Sequence, residues 1–285
     1  MAESALLKGR RGLVMGVAND HSIAWGIARM LAAHGAELAF TYQGEAQLKR
    51  LKPLAASVGS KLVLPGDVEN DGELDAAFDT LKREWGSLDF LVHAIAFSDK
   101  NELKGRYVDT SRENFARTLS VSCYSFTAVA QRAAKLMSTD MGHGGGAMLT
   151  LTYLGATRVM PNYNVMGVAK AALEASVRYL AADLGRDAIR VNAISAGPMR
   201  TLAGSAVGDG RTMFKWMRQL TPLHRTVELD HVGGAALYLL SELSAGVTGE
   251  VHFVDAGYNV IGVPPAPLLK SWNRAENGDK EDAQV

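Results

Sequence analysis

Residues 12–28 read GLVMGVANDHSIAWGIA, and the order of residue types along them decides the fold. Residues 12–18, GLVMGVA, form a short apolar run of the length a buried strand needs. From Ser22 to His34, Ile23, Ile27, Met30 and Leu31 recur at helical spacing and mark one apolar face. In the join, Gly16 permits a tight turn, Ser22 is of the type that caps a helix, and Gly26 lets a helix lie close on a sheet. A helix that starts just past a strand aims its first N–H groups at the strand end, a ready site for a pyrophosphate. The spacing G-x-G-x-x-G is absent, so on this loop alone a purely structural turn is an equal reading.

Outward from this unit the alternation repeats. Strands are expected at 37–42 (ELAFTY), 61–68 (KLVLPGDV), 88–97 (LDFLVHAIAF), 147–154 (AMLTLTYL), 189–195 (IRVNAIS) and 250–254 (EVHFV). Helices are expected at 45–58, 70–85, 110–137, 161–184 and 228–240, with Pro161 in a first turn, where it costs no hydrogen bond. Seven apolar strands separated by helices imply a parallel sheet covered on both faces, the doubly wound α/β architecture, in one domain over residues 1–268. Residues 198–222 (PMRTLAGSAVGDGRTMFKWMRQLTP) fall outside the alternation and suit a lid. Its Met213, Phe214, Trp216, Met217 and Leu220 either pack or line an acyl pocket. Residues 269–285 lose apolar content and are expected to be a disordered tail.

Composition narrows the class of protein. The 30 Lys and Arg balance the 30 Asp and Glu, leaving no net field to hold nucleic acid or an anionic membrane. A lone Cys123 excludes a disulfide framework and fits a reducing compartment, as a small buried apolar side chain. The opening MAESALLKGRRGLVMG lacks the apolar stretch of a secretory signal, and no run of about 20 apolar residues is long enough to span a bilayer. A cytoplasmic location is expected.

Two further strand ends favour a dinucleotide. Gln43 follows the second strand and Asp67-Val68 the third, where ligands of such sheets sit. The sequence YQGEA carries Gln43 and Glu45 with no adjacent Arg or Lys, which favours NADH over NADPH. Asp67 reads either as an acceptor for an adenine amino group or as a helix cap.

In MPNYNVMGVAK, residues 160–170, Tyr163 and Lys170 stand seven residues apart, close to two helical turns, so a continuous helix would project both from one face. Tyr42 and Lys49 share the spacing, but Tyr42 ends a strand. A phenol is a hydrogen-bond donor at neutral pH, and a nearby ammonium is expected to lower its pKa. A half-buried ring and a solvated charge are the plainer reading of the pair.

LTYLGATRVMPNYNVMGVAKAALEASVRYLA, followed by RVNAISAGPMRTLA, resembles the NADH-dependent enoyl-acyl carrier protein reductases of bacterial fatty acid synthesis. These are a divergent branch of the short-chain dehydrogenases, with a Rossmann-like fold. The resemblance runs from about residue 8 to 262, through GVANDHSIAWGIA, ELAFTYQ, GDV, HAIAF and SAGVTGEVHFVDAGY. Most short-chain dehydrogenases carry Y-x-x-x-K, which this chain lacks. The resemblance implies reduction of trans-2-enoyl thioesters on acyl carrier protein, the last step of the elongation cycle, by a homotetramer. It implies Tyr163 as donor to the thioester carbonyl, Lys170 as holder of the nicotinamide ribose and Tyr153 as the second active-site tyrosine. Cofactor contacts carry over to Gly16, Ser22, Ile23, Gln43, Asp67, Val68, Ile95, Lys170, Met199, Arg200, Thr201, Leu202 and Ala203, and substrate contacts to Ser98, Tyr153, Tyr163, Met213 and Phe214. Ala94-Ile95-Ala96 departs from the family, which often has Ser and Gly around this isoleucine; Ala96 adds a methyl beside the nicotinamide pocket.

Two rival readings stay open, a carbonyl-reducing dehydrogenase of the same fold and a dinucleotide-sensing regulator without catalysis. His143-Gly144-Gly145-Gly146 is similar to a lipase oxyanion loop, but no G-x-S-x-G accompanies it. The seven histidines show no H-E-x-x-H spacing, and no metal is expected.

Overall fold

A computed structural model describes residues 5–137, 145–199 and 218–263. The strands are β1 (Arg11–Met15), β2 (Glu37–Tyr42), β3 (Leu62–Pro65), β4 (Phe90–His93), β5 (Ala147–Thr152), β6 (Arg190–Ala196) and β7 (Val251–Val254). They form one seven-stranded sheet in the order β3-β2-β1-β4-β5-β6-β7, parallel at each pairing. Helices α1 (Ile23–Ala33), α2 (Gly44–Ser57), α3 (Asp71–Trp85), α4 (Arg112–Leu119), α5 (Ser125–Ala134), α6 (Asn164–Leu184) and α7 (Leu229–Leu240) cross between them. The doubly wound α/β fold expected from the alternation is the fold found.

Alternate side chains of each strand enter different cores, as the two-residue period of a strand dictates. Val14, Phe40, Val92, Leu149 and Ile194 pack with α1 and α7 on one face. Leu13, Ala39, Leu91, Met148 and Val191 pack with α3, α5 and α6 on the other. The central strands are buried on both faces, which is why they read as apolar runs, while the edge strands β3 and β7 are only partly buried.

Four local expectations are corrected. β1 stops at Met15 instead of running to residue 18, because Gly16 takes φ 95° and leaves the ladder. Gly26 does not bring helix to sheet: a Cβ there would meet Leu229 Cβ at 2.7 Å, so it seats α1 against α7. The helical tract at 110–137 is interrupted by a π-helical turn at Ser120–Tyr124, where Ser122 Oγ accepts from Phe97 N and donates to Phe97 O, at 2.9 and 3.0 Å. The break turns a helical serine onto the loop after β4. Finally, α6 begins at Asn164 and not at Pro161, since Asn162 and Asn164 hold φ of 57° and 30°. Asparagine tolerates this left-handed region better than most residues, and the two positions, one on each side of Tyr163, break helical continuity at that residue.

Candidate active site

The strand order turns back between β1 and β4, so the loops leaving their C-terminal ends part and open a crevice. Gly16 lies in it, and a Cβ there would stand 2.1 Å from the carbonyl oxygen of Ala94. Only glycine allows this close approach at positive φ. Ser22 occupies the N-cap position of α1 but makes no side-chain cap. Its hydroxyl instead accepts from Ala18 N and Asn19 N at 3.0 and 2.9 Å and donates to Asn19 O at 2.7 Å. The hydroxyl satisfies the loop's own backbone, and the first N–H groups of α1 are left for an anion. Gln47 and Arg50 of α2 bond the carbonyls of Val17 and Ala18 and hold this loop from the second crossover.

At the far end of the crevice Gln43 Nε2 donates to Asp67 Oδ2 at 2.8 Å. Asp67 is not the helix cap, because Asn70 Oδ1 accepts from Glu73 N. Its other oxygen accepts from Glu69 N at 3.0 Å. Ile23 packs against the core under α1, and Val68 and Ile95 against the core on the opposite face.

At the other end, Tyr153 follows β5 directly and Tyr163 precedes α6. Their rings meet edge to face, with centroids 5.2 Å apart and planes at 73°. Gly155 makes this possible, since a Cβ there would lie 2.4 Å from the Tyr163 ring. Gly167 does the same for the next layer, where a Cβ would lie 2.8 Å from Gly155 O. Asn164 Nδ2 donates to Glu102 O at 3.0 Å and ties the start of α6 to the loop after β4. Lys170 is 6% exposed, and its Nζ donates to Leu151 O at 2.8 Å. Burial lowers the lysine to about 8, with Cys123 and Glu174 opposing the shift.

Burial pushes the Tyr163 phenol well above its ordinary range, with Tyr153 and Glu174 adding in the same direction. The lowering expected from a neighbouring ammonium is therefore overturned: desolvation of the phenolate outweighs any attraction to Lys170. Tyr153 is raised by burial as well. Both hydroxyls stay protonated at neutral pH, which suits hydrogen-bond donation to an oxygen that gains charge.

Ser98, expected to touch substrate, is buried in a polar knot in which it accepts from Thr118 Oγ1 at 2.9 Å and donates to Asn114 Oδ1 at 3.3 Å. Met199 is buried in the core beyond β6. Arg200, Thr201, Leu202, Ala203, Met213 and Phe214 lie outside the described residues, as do most of the expected lid and the whole tail.

Several contributors have little signature in sequence. Thr152 donates to Glu174 Oε1 at 2.7 Å, and His93 sits in the core between Thr150 Oγ1 and Ser125 Oγ at 3.1 and 2.8 Å. Burial, with the nearby Lys170, lowers His93 to about 3. The one legible hint was Gly167: a glycine inside a helical pattern costs about 1 kcal/mol and calls for a packing reason. Among the described residues no cluster of three His, Cys, Asp or Glu side chains has the geometry to hold a metal ion, and no helix is long and apolar enough to cross a membrane.

The donor set suits a dinucleotide along its length. It offers an amide-rich helix start beside a crowded glycine, an amide-carboxylate pair at one end and a buried ammonium at the other. The enoyl-(acyl carrier protein) reductase family model matches residues 16–259. An enoyl-[acyl-carrier-protein] reductase [NADH] of Rhizobium meliloti is 65% identical over 267 residues, 94% of this chain and 98% of that protein. FabI of Rickettsia felis is 56% identical, over 91% of this chain and 98% of its own. The crystal structure of FabI from Candidatus Liberibacter asiaticus aligns with TM-score 0.87 at 58% identity, covering 91% of this chain and 99% of that one. The Anaplasma phagocytophilum reductase, solved in complex with NAD, aligns with TM-score 0.85 at 55% identity, covering 92% and 96%. The matched residues run from the loop after β1 to the turn after β7, and the chain belongs to the enoyl-(acyl carrier protein) reductase family.

Proposed function

We propose that Tyr153, Tyr163 and Lys170 carry the reduction of the trans-2 double bond of enoyl thioesters on acyl carrier protein. The chain is an NADH-dependent enoyl-[acyl-carrier-protein] reductase of fatty acid synthesis. The observation that carries the site assignment is the edge-to-face tyrosine pair poised beside β5, with a buried lysine on the next helix. Bound NADH would supply a hydride for the β-carbon of the substrate. The Tyr163 hydroxyl donates a hydrogen bond to the negative charge that develops on the thioester oxygen, and a proton taken up at the α-carbon completes the saturated acyl chain. Such a donor lowers the barrier more than it helps the ground state. Its raised pKa keeps the donor protonated.

Lys170 holds the nicotinamide ribose. One of its three N–H donors is spent on Leu151 O, which leaves two for ribose hydroxyls. Gly16, the start of α1 with Ser22 and Ile23, and Gln43 with Asp67 and Val68 hold the pyrophosphate and adenosine. Ile95 borders the nicotinamide. The molecule works as a cytoplasmic homotetramer, a state that light scattering on the purified protein tests.

The deciding assay compares NADH consumption with crotonyl or longer enoyl thioesters against β-ketoacyl thioesters. Only the enoyl series is expected to be turned over, which separates this reading from a carbonyl-reducing dehydrogenase. Tyr163→Phe should cost about 2.7 to 4 kcal/mol of barrier, the scale of one lost oxyanion donor. Parental turnover in that variant removes Tyr163 from the role.

A further inference from the structure

Glu174 lies one helical turn beyond Lys170 on α6, and at 8% exposure it is buried almost as deeply. Two consecutive residues of β5 anchor the two side chains separately: Leu151 O accepts from Lys170 Nζ, and Thr152 Oγ1 donates to Glu174 Oε1 at 2.7 Å. The residue after them is Tyr153, so the end of the strand that carries an active-site tyrosine also carries both anchors.

The groups acting on Lys170 are, the larger first, Cys123 from the π-helical turn and Glu174 from its own helix, with His93 of β4 also nearby. Cys123 Sγ lies 3.5 Å from Ser176 Oγ, and the His93 ring is held neutral between two hydroxyls. Burial raises the Glu174 carboxyl, and the Thr152 hydrogen bond, the exposed Arg178 and Lys170 oppose that and favour the carboxylate, with Tyr163 also close by. Within this set Glu174 is the one carboxylate facing the lysine. Burial by itself favours a neutral amine, which has fewer donors and no charge for ribose hydroxyls.

We propose that Glu174 is a positioning residue for the reduction: its carboxylate, fixed by Thr152, keeps Lys170 an ammonium directed at the cofactor. The inference rests on the reading that Lys170 holds the nicotinamide ribose. Lys170 titrates at about 8, a narrow margin above neutral pH that loss of an opposing charge would erase. A merely structural Glu174 would tie α6 to β5, and glutamine keeps that tie because its amide oxygen also accepts from Thr152.

The test is the dissociation constant for NADH, followed by fluorescence on the full-length protein from about pH 6 to pH 9. Parent binding should weaken as the pH rises through the Lys170 titration. In Glu174→Gln the midpoint should fall by about one pH unit or more. Above both midpoints the variant should bind NADH roughly tenfold more weakly than the parent for each pH unit that separates them, while binding at the acid end stays near parental. An unchanged midpoint overturns the proposal. Lys170→Met separates the two readings. If it leaves NADH binding intact, the ribose assignment fails. If it weakens binding while Glu174→Gln leaves the midpoint in place, only the role of Glu174 fails. Thr152→Val keeps the carboxylate but removes its donor and should move the midpoint the same way by less. Should Glu174→Gln not fold, an unchanged midpoint in Thr152→Val overturns the proposal instead.

Discussion

Up to the end of α3 the described chain buries one polar side chain, Thr41, whereas from β4 to β6 it buries His93, Ser98, Asn114, Thr118, Ser122, Ser125, Thr150, Thr152, Lys170, Glu174, Asn192 and Ser195. Both regions wrap the same sheet with similar apolar cores. The proposed nucleotide half offers a ligand backbone groups, a close-packed glycine and the exposed Gln43–Asp67 pair. The catalytic half sets ionisable groups into the interior, where burial governs their charge and each needs a named partner. The difference is one of tolerance. Contacts at an exposed rim are cheap to lose, while a buried polar group without its partner costs the full desolvation of that group.

The largest expected effect lies in the catalytic half. His93 titrates at about 3 in the fold and near 6.5 when exposed, so the unfolded chain binds its proton first as pH falls. The stability it confers is complete above about pH 6.5 and is lost progressively towards pH 3, by about 5 kcal/mol at most. Urea unfolding of the parent at pH 4.5 should therefore show a deficit of about 3 kcal/mol relative to pH 7 that His93→Gln lacks. Equal acid sensitivity in the two proteins would place the imidazole outside the linkage.

Next is Gly16→Ala, the sharpest challenge to the view of the nucleotide half as tolerant. The new methyl would lie 2.1 Å from Ala94 O at φ 95°, so backbone must move. We expect a loss of about 3 kcal/mol in unfolding free energy and weakened NADH binding. A parental midpoint in denaturant would show that the two strand ends can separate freely.

Gly155→Ala probes the tyrosine pair, because its Cβ would press on the Tyr163 ring from 2.4 Å. A displacement of about 1 Å is enough for a roughly 100-fold fall in kcat, with NADH affinity close to parental. Steady-state kinetics at saturating NADH separate the two constants, and an equal fall in affinity would mean that the turn also shapes the nucleotide site. Smallest is Gln43→Ala, which removes one exposed hydrogen bond to Asp67. It should weaken NADH by about 1 kcal/mol and leave thermal stability unmoved. A loss as large as that of Lys170→Met would erase the contrast between the halves.

Sequence alone determined the parallel seven-stranded sheet, the position of Glu37–Tyr42 and the enoyl reductase family. Apolar period, glycine punctuation and a contiguous motif are local properties, and they survive without knowing what lies across the fold. The candidate site was legible as a set of residue types: Tyr153, Gln43 and Asp67 lie just past strand ends, and Tyr163 and Lys170 lie at the start of α6. What each does there was decided by tertiary structure. Tyr163 left the helix expected to carry it because two asparagines adopted left-handed backbone. Ser22 abandoned its cap for Asn19, and Gly26 turned to a helix two hundred residues away in sequence. The phenol rose in pKa although an ammonium lay on the next helix. Desolvation and pairing are set by groups that meet only when the chain has folded, so Thr152, Glu174 and His93 look like ordinary residues until β4, β5 and α6 are brought together.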